Sequence, residues 1–446
     1  MKVVIYGAGE VGTHLTKLLS YENHDVILLD EDEEQLNEIA SHFDILTIVG
    51  SGTSIEDLRK AQVAYSDLFI AVPPYEEASL LSAMLADKLG AKKTFARINN
   101  FEYLSSENRQ YFKQMGVDEL IFPEKLGAQE IVQSLKHVGI RQMFDFGQNS
   151  LYLFAIKIRE NAPIINKKLT EISAQHKENN YFIVAIVRNG KTIIPHGNET
   201  IKHNDLAYIT LTPNGYKQVL HDTGKTSHEV KNVIILGGSR IGIKVAQDIE
   251  QNYNVKIVEI NKEKSNHLAE ILENTLIING DGRDLELLKE EGIAKTDAFI
   301  AVTGNSEINI LACQLAKKMG VPKTVAEVEN MDYIDLAENI GIGTIINKKL
   351  IAVEHIYRYT LKAQVSNVKC LTTTDADVLE LIARENSKIT KTNIDKLNLP
   401  EDVNIGGVIR AGKAFIPTGG TQIMANDKVV IFVTPTGVKK IEKLFS

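Results

Sequence analysis

The feature that most limits what this chain can fold into is that it contains itself twice. VVIYGAGEVG (3–12) lies over VIILGGSRIG (233–242), and the register then holds, with a one-residue slip, for about a hundred residues. Asp30 in VILLDED meets Glu259 in KIVEINK, and IVGSGTSIEDLRKA (48–61) meets INGDGRDLELLKEE (278–291). SDLFIAVPP (66–74) meets TDAFIAVTG (296–304), and LADKLGAKKTFARINN (85–100) meets LAKKMGVPKTVAEVEN (315–330). Behind each copy stands a second, different repeat: NGKTIIPHGNETIKHNDLAYITLTP (189–213) matches AGKAFIPTGGTQIMANDKVVIFVTP (411–435). The order is therefore lobe, small lobe, lobe, small lobe, expected at 1–135, 140–222, 232–358 and 362–446 with a polar linker at 223–231. That linker contains Gly224-Lys225-Thr226, but Val219 stands where a phosphate-binding loop needs its first glycine.

The larger lobes read as alternating strand and helix. VVIY is a short buried strand, and Val11, Leu15, Leu18 and Leu19 keep helical spacing after it. Strand 25–29, helix 32–42, strand 45–49, helix 54–61, strand 67–72, helix 76–89 and strand 94–98 continue the alternation. Such a pattern predicts an α/β fold: two Rossmann-like, doubly wound parallel-sheet lobes, each followed by a small α+β lobe. Segments 124–140 and 348–365 read as helices leaving the larger lobes, with Leu126, Ile131, Leu135, Val138, Leu350, Val353, Ile356 and Leu361 as apolar positions.

In GAGEVG (7–12), Gly7 permits the tight turn, Gly9 lets a phosphate approach the backbone, and Gly12 lets the helix pack against the strand. Ala8, Glu10 and Val11 complete the turn, and the helix start presents free N–H groups and a positive dipole end to an anion. Asp30 follows Gly12 by 18 residues at the tip of the second strand, where a carboxylate accepts from both ribose hydroxyls. A carboxylate there disfavours a 2′-phosphate, so NAD-type or adenine nucleotides are expected over NADP. Ser51 and Gly52, ending the third strand, either cover the adenine side or form a plain turn. Arg97 ends the fifth strand, where an open α/β sheet holds its ligand, and its fork suits phosphate oxygens; a surface salt bridge is the alternative.

Composition removes other classes. A net charge of −8 with dispersed Lys and Arg argues against a nucleic-acid partner. No apolar run reaches the roughly 20 residues of a membrane span, and no signal peptide is apparent, so a cytoplasmic protein without direct membrane insertion is expected. Cys313 and Cys370 are far apart and show no metal-ligand or redox spacing; no metal site is expected.

A GxGxxG lobe with Asp30, an SGTS or DGRD turn after the third strand, FIAV after the fourth, ARI on the fifth, and a small lobe with I-P-x-G then N-D, all duplicated, resembles the TrkA family across essentially the whole chain. Its members are built from two RCK (regulator of K+ conductance) modules. The resemblance implies a regulatory, non-enzymatic subunit on the inner face of the membrane. It implies a ring, commonly of four chains, under a membrane-embedded Trk potassium-translocating subunit, with NAD(H) or ATP/ADP biasing the ring. It also implies a first site of Gly7 to Val11, Asp30, positions 73 and 74, and Arg97. Here Pro73 and Pro74 replace the polar pair frequent in the family, and prolines donate no N–H.

The rival reading is an NAD-dependent oxidoreductase, which needs a general acid or base against the nicotinamide. His196 and His203 are the small-lobe candidates; they pair in the repeat with Thr418 and Ala425 and read as solvated. A nucleotide-dependent scaffold is the third class. In the second copy, the corresponding positions are Gly237, Gly238, Ser239, Arg240, Ile241, Glu259, Asp281 and Thr303. Ser239 replaces Gly9 and adds a hydroxyl, Asp281 joins Glu259 in a more acidic pocket, and Glu327 replaces Arg97. The expectation is a second nucleotide site with altered preference, with Arg240 either compensating for the lost Arg97 or facing solvent.

Overall fold

The computed structural model describes residues 1–445 other than 22, 23, 148, 176–178, 196, 227, 362–364 and 372–375. His196 therefore lies outside the described residues, as does the side chain of Cys370. By contacts the chain forms two compact units, Met1–Leu126 with Lys348–Thr360, and Gly127–Asn347 with Leu361–Ser446.

In the first unit, β1 (Lys2–Tyr6), β2 (Asp25–Asp30), β3 (Leu46–Val49), β4 (Leu68–Ala71), β5 (Thr94–Arg97) and β6 (Glu119–Ile121) form one parallel sheet in the order β3-β2-β1-β4-β5-β6. Strand β4 and residues Val3–Tyr6 of β1 are buried because helices cover both faces. The order reverses between β1 and β4, and that crevice is where the strand ends leave room for a ligand. The expected five strands are present with a sixth, β6, whose three residues are too few to show a period.

Helix Lys348–Tyr357 belongs to this unit although its sequence follows the second repeat; it packs on helix Glu10–Tyr21 and buries Leu350, Val353 and Ile356. It is shorter than the predicted 348–365, just as Pro123–Leu135 is shorter than 124–140. Gly139 at φ +89° breaks the helical path after the first, and the Thr360 hydroxyl donates to the Tyr357 carbonyl after the second.

The second unit repeats the parallel sheet with β12 (Asn232–Leu236), β13 (Asn254–Glu259), β14 (Thr275–Asn279), β15 (Ala298–Ala301), β16 (Lys323–Glu327) and β17 (Thr344–Ile346), in the order β14-β13-β12-β15-β16-β17. It also holds two five-stranded antiparallel sheets. One comprises β7 (Gln142–Phe146), β8 (Leu151–Lys157), β9 (Tyr181–Arg188), β10 (Lys191–Ile193) and β11 (Leu206–Leu211), ordered β10-β9-β11-β8-β7. The other comprises β18 (Val365–Cys370), β19 (Asp377–Ile382), β20 (Val403–Arg410), β21 (Lys413–Phe415) and β22 (Lys428–Val433), ordered β21-β20-β22-β19-β18, the same path. The α/β reading with tandem parallel and antiparallel lobes is thus the observed architecture.

The two antiparallel sheets share one core, in which Phe144, Leu151, Leu153 and Tyr208 meet Val378, Ile409, Val430 and Phe432. Gly406 and Gly407 permit the approach: a Cβ on Gly407 would lie 2.3 Å from Leu151, and one on Gly406 2.6 Å from Thr210. The Thr210 hydroxyl donates to the Gly406 carbonyl at 2.7 Å across that seam. Cys313 is wholly buried, its thiol donates to the Val325 carbonyl, and burial pushes it up to about 12. His203 is exposed.

Candidate nucleotide sites

The first turn joins β1 to helix Glu10–Tyr21, and its three glycines have different causes. Gly7 sits at φ +107°, donates its N–H to the Leu29 carbonyl at 2.9 Å, and leaves no room for a Cβ, which would stand 2.9 Å from Pro73 N. A Cβ on Gly12 would reach 1.9 Å from the Gly7 carbonyl oxygen, so helix and turn touch there. Gly9 alone faces open space, with nothing within 4 Å of a built Cβ. The fold itself therefore gives no reason for glycine at position 9, whereas a ligand lying on the turn does.

Around that space the side chains divide by role. Ala8 and Val11 are buried under the turn, so only their main chain can meet a ligand. Asp30 accepts the Ala8 N–H at 2.6 Å and the Asp32 N–H at 2.9 Å, which fixes its carboxylate beside the turn at the end of β2. Glu10 is exposed and forms an ion pair with Lys349 at 2.8 Å. Pro73 is buried beneath Gly7 and Pro74 is exposed. Arg97 closes β5 half-buried, and its Nε is buried with no hydrogen-bond partner among the described residues. A planar cation with an idle donor at a strand end suits an anion.

The turn after β3 has an internal cause. A Cβ on Gly52 would lie 2.3 Å from the ring of Tyr6, so packing demands glycine there. Ser51 donates its N–H to Asp57 at 3.2 Å and its hydroxyl meets that of Thr53 at 3.0 Å. Tyr6 itself escaped the sequence reading because it looks like one more strand residue. Burial pushes its phenol up, a hydrogen bond with Ser51 opposes this, and Glu31 and Asp30 add to the rise. Glu76 also escaped: its carboxylate accepts the N–H groups of Asn99 at 2.6 Å and Asn100 at 3.0 Å, tying a helix start to the chain leaving β5.

The second turn, between β12 and helix Arg240–Ile249, keeps the plan and changes the chemistry. Gly237 lies at φ +99° and donates to the Val258 carbonyl at 2.9 Å, and a Cβ on Gly242 would stand 2.4 Å from the Gly237 carbonyl oxygen. Glu259 accepts the Gly238 N–H at 2.8 Å and the Asn261 N–H at 2.9 Å, the same pair of contacts Asp30 makes. Burial pushes the Glu259 carboxyl up, but those N–H groups and Lys264 at 3.5 Å outweigh it and hold it below its ordinary range. Gly238 has its own packing cause, since a Cβ would strike Leu268 at 2.4 Å.

In this lobe the side chains at the expected positions carry contacts within the fold. The Ser239 hydroxyl is not simply an added donor: its oxygen caps the helix by accepting the Gly242 N–H at 3.2 Å, using a group that an anion would otherwise take. Asp281 does not make a bare acidic pocket with Glu259, because Arg283 forks onto both its oxygens at 3.0 and 2.6 Å and holds its carboxyl below the usual range. Ile241 is buried core, like Val11. Thr303 is held through its N–H and hydroxyl by the buried Asn309, which also donates to the Glu327 carbonyl at 2.9 Å. Glu327 closes β16 at 3% exposure, and Arg240 is exposed as the first helical residue.

The TrkA-N domain model matches residues 3–123 and 233–348, and the TrkA-C domain model matches 153–222 and 378–446. The Trk system potassium uptake protein TrkA of Vibrio alginolyticus is 30% identical over 452 residues, covering 100% of this chain and 98% of its own length. The chain belongs to the TrkA family. Another relative, the TrkA homolog 1 of Methanosarcina mazei, is 32% identical with 100% of both chains covered. Among solved structures, the GsuK RCK domain superposes with a TM-score of 0.59 at 13% identity, covering 100% of this chain and 94% of that one. The GsuK channel bound to NAD gives 0.58 at 13%, covering 100% and 78%. These likenesses fix the fold of this TrkA-family chain as a tandem RCK architecture.

Proposed function

We propose that this TrkA-family chain is the nucleotide-sensing regulatory subunit of a Trk-type potassium uptake system. NAD or NADH, with ADP or ATP as competitors, would lie on the first turn. A nucleotide of different preference would lie on the second. The observation that carries the reading is the open space over Gly9 beside a carboxylate fixed by two N–H groups. Asp30 would accept from the 2′- and 3′-hydroxyls of a ribose, the helix start and Arg97 would face phosphate oxygens, and a 2′-phosphate would be repelled. The Pro73 and Pro74 segment would offer only carbonyl or apolar contacts, and Ser51 would stand at the edge. In the second lobe Glu259 would take the ribose, with Thr303 at the rim.

The nucleotide in this reading is sensed, not consumed, and shifts a conformational equilibrium by binding two states unequally. The relatives are Trk system potassium uptake proteins. Among the described residues no helix is long and apolar enough to cross a membrane. The chain is accordingly proposed to assemble as a four-chain ring at the cytoplasmic face of the membrane, docked on a membrane-embedded potassium-translocating partner. Calorimetric titration of the full chain with NADH, NAD, ADP and ATP tests the site. Asp30→Ala is expected to weaken the tighter NAD(H) event roughly thirtyfold; unchanged affinity in both Asp30→Ala and Glu259→Ala sinks the ribose assignment. Turnover of hydride with any substrate would restore the oxidoreductase reading.

A further inference from the structure

Away from both glycine turns, the second compact unit contains a cleft of about 720 Å³ where the first antiparallel sheet meets the second parallel sheet. Six basic side chains line it: Arg141 just before β7, Lys157 ending β8, Arg159 after it, Lys225 beyond helix Tyr216–Asp222, Lys317 in helix Ser306–Lys318, and Lys323 opening β16. Among the described residues Glu160 is the one acidic residue in the lining. So concentrated a positive charge is unexpected in a chain whose net charge is −8.

The six are not neutralised from within, since none forms an ion pair with a carboxylate among the described residues. Arg141 donates to the Glu338 carbonyl at 3.3 Å and Lys317 to the Gly341 carbonyl at 2.7 Å. Lys323, at 2% exposure, donates to the Ile140 carbonyl at 3.1 Å and the Thr344 hydroxyl at 2.8 Å. Burial and then the neighbouring Arg159, Arg141, Lys157 and Lys317 bring Lys225 down to about 8, and burial alone brings Lys323 to about 7. The carboxyl of Glu338, beside Arg141, is pushed up to about 7 by burial. Like charges held together at this density repel one another and are relieved by an anion.

We propose that this cleft is an anion site separate from the two glycine turns, taking a small ligand with two or more phosphoryl groups and joining the first antiparallel sheet to the second parallel sheet. Its volume is that of a small-molecule pocket and exceeds what one phosphate needs. Among the described residues no Phe, Tyr or Trp lines it and the His203 imidazole is its one aromatic ring, so the phosphate chain, met by the basic side chains, carries the recognition.

Inorganic triphosphate, which has neither ribose nor base, is the probe. Titrated calorimetrically into the full chain, it is expected to bind, to weaken steeply from low to physiological salt, and to exceed orthophosphate by at least about tenfold. The double variant Lys157→Gln with Lys225→Gln is expected to lose at least about tenfold in triphosphate affinity and to keep NADH binding, which also reports that it has folded. Asp30→Ala with Glu259→Ala is expected to do the reverse, so this site and the glycine turns fail independently. The inference is overturned if triphosphate does not bind or if the lysine double variant binds it as tightly as the parent. It is also overturned if orthophosphate matches triphosphate. A hexaglutamate peptide that displaces triphosphate and binds more tightly would assign the cleft to a protein partner instead.

Discussion

In the first parallel lobe, Gly9 leaves the helix start without a side-chain cap, and a half-buried arginine closes the fifth strand. In the second, Ser239 caps the helix start and Glu327 closes the equivalent strand. Both keep the positive-φ glycine, the helix-contact glycine and a carboxylate held by two N–H groups. What duplication preserved is the steric frame and the ribose carboxylate. What it changed is the charge an anionic ligand would meet. The two lobes are thus expected to share a ribose requirement and to differ in tolerance for phosphate.

The largest effects should fall on the frame. Gly12→Ala drives a Cβ to 1.9 Å from a carbonyl oxygen and Gly242→Ala to 2.4 Å, so thermal unfolding should show losses of about 3 kcal/mol, greater in the first lobe. Gly9→Ala, with nothing within 4 Å, should leave stability within about 0.5 kcal/mol and still weaken nucleotide binding. A Gly9→Ala variant as unstable as Gly12→Ala would break the claim that position 9 is open for a ligand.

Next in size, Asp30→Ala and Glu259→Ala should each remove about 2 kcal/mol from nucleotide binding at their own lobe, roughly thirtyfold by calorimetry, and leave the other lobe unchanged. The charge reversal gives opposite signs: Arg97→Gln should weaken ADP in the first lobe about tenfold, and Glu327→Gln should strengthen it in the second by a similar factor. If both substitutions weaken ADP, the electrostatic contrast is wrong. Ser239→Gly should free the Gly242 N–H and tighten anion binding a few-fold, at a stability cost of a few tenths of a kcal/mol.

The smallest expected effect is on acid stability. Glu259 is held below its ordinary value of 4.5, so its contribution is present above that pH and is lost as pH falls through the lower folded value. The midpoint of thermal unfolding should therefore fall less steeply below pH 4.5 in Glu259→Gln than in the parent. Equal slopes would mean that the contacts from Gly238, Asn261 and Lys264 do not favour the carboxylate.

Much of this was legible from residues because repetition exposes it. The parallel sheets, the glycine turns and the carboxylates at 30 and 259 all show as local patterns read twice. Gly52, left open between adenine cover and a plain turn, recurs as Gly282, and each has a packing cause in a neighbouring side chain, Tyr6 or Leu236, that no local pattern reveals. The sixth strands, three residues each, were too short to carry a period.

The sequence by itself determined the doubled α/β architecture and the family, since strand–turn–helix order and glycine positions follow from steric rules acting over a few residues. Only the tertiary structure decided that Ser239 spends its oxygen on the Gly242 N–H, that Arg283 neutralises Asp281, and that helix Lys348–Tyr357 packs with the first lobe. It alone gathered six basic side chains from segments spread between residues 141 and 323 into one cleft. Such outcomes depend on which side chains meet across long separations, where contact geometry and burial, not local propensity, set the free energy.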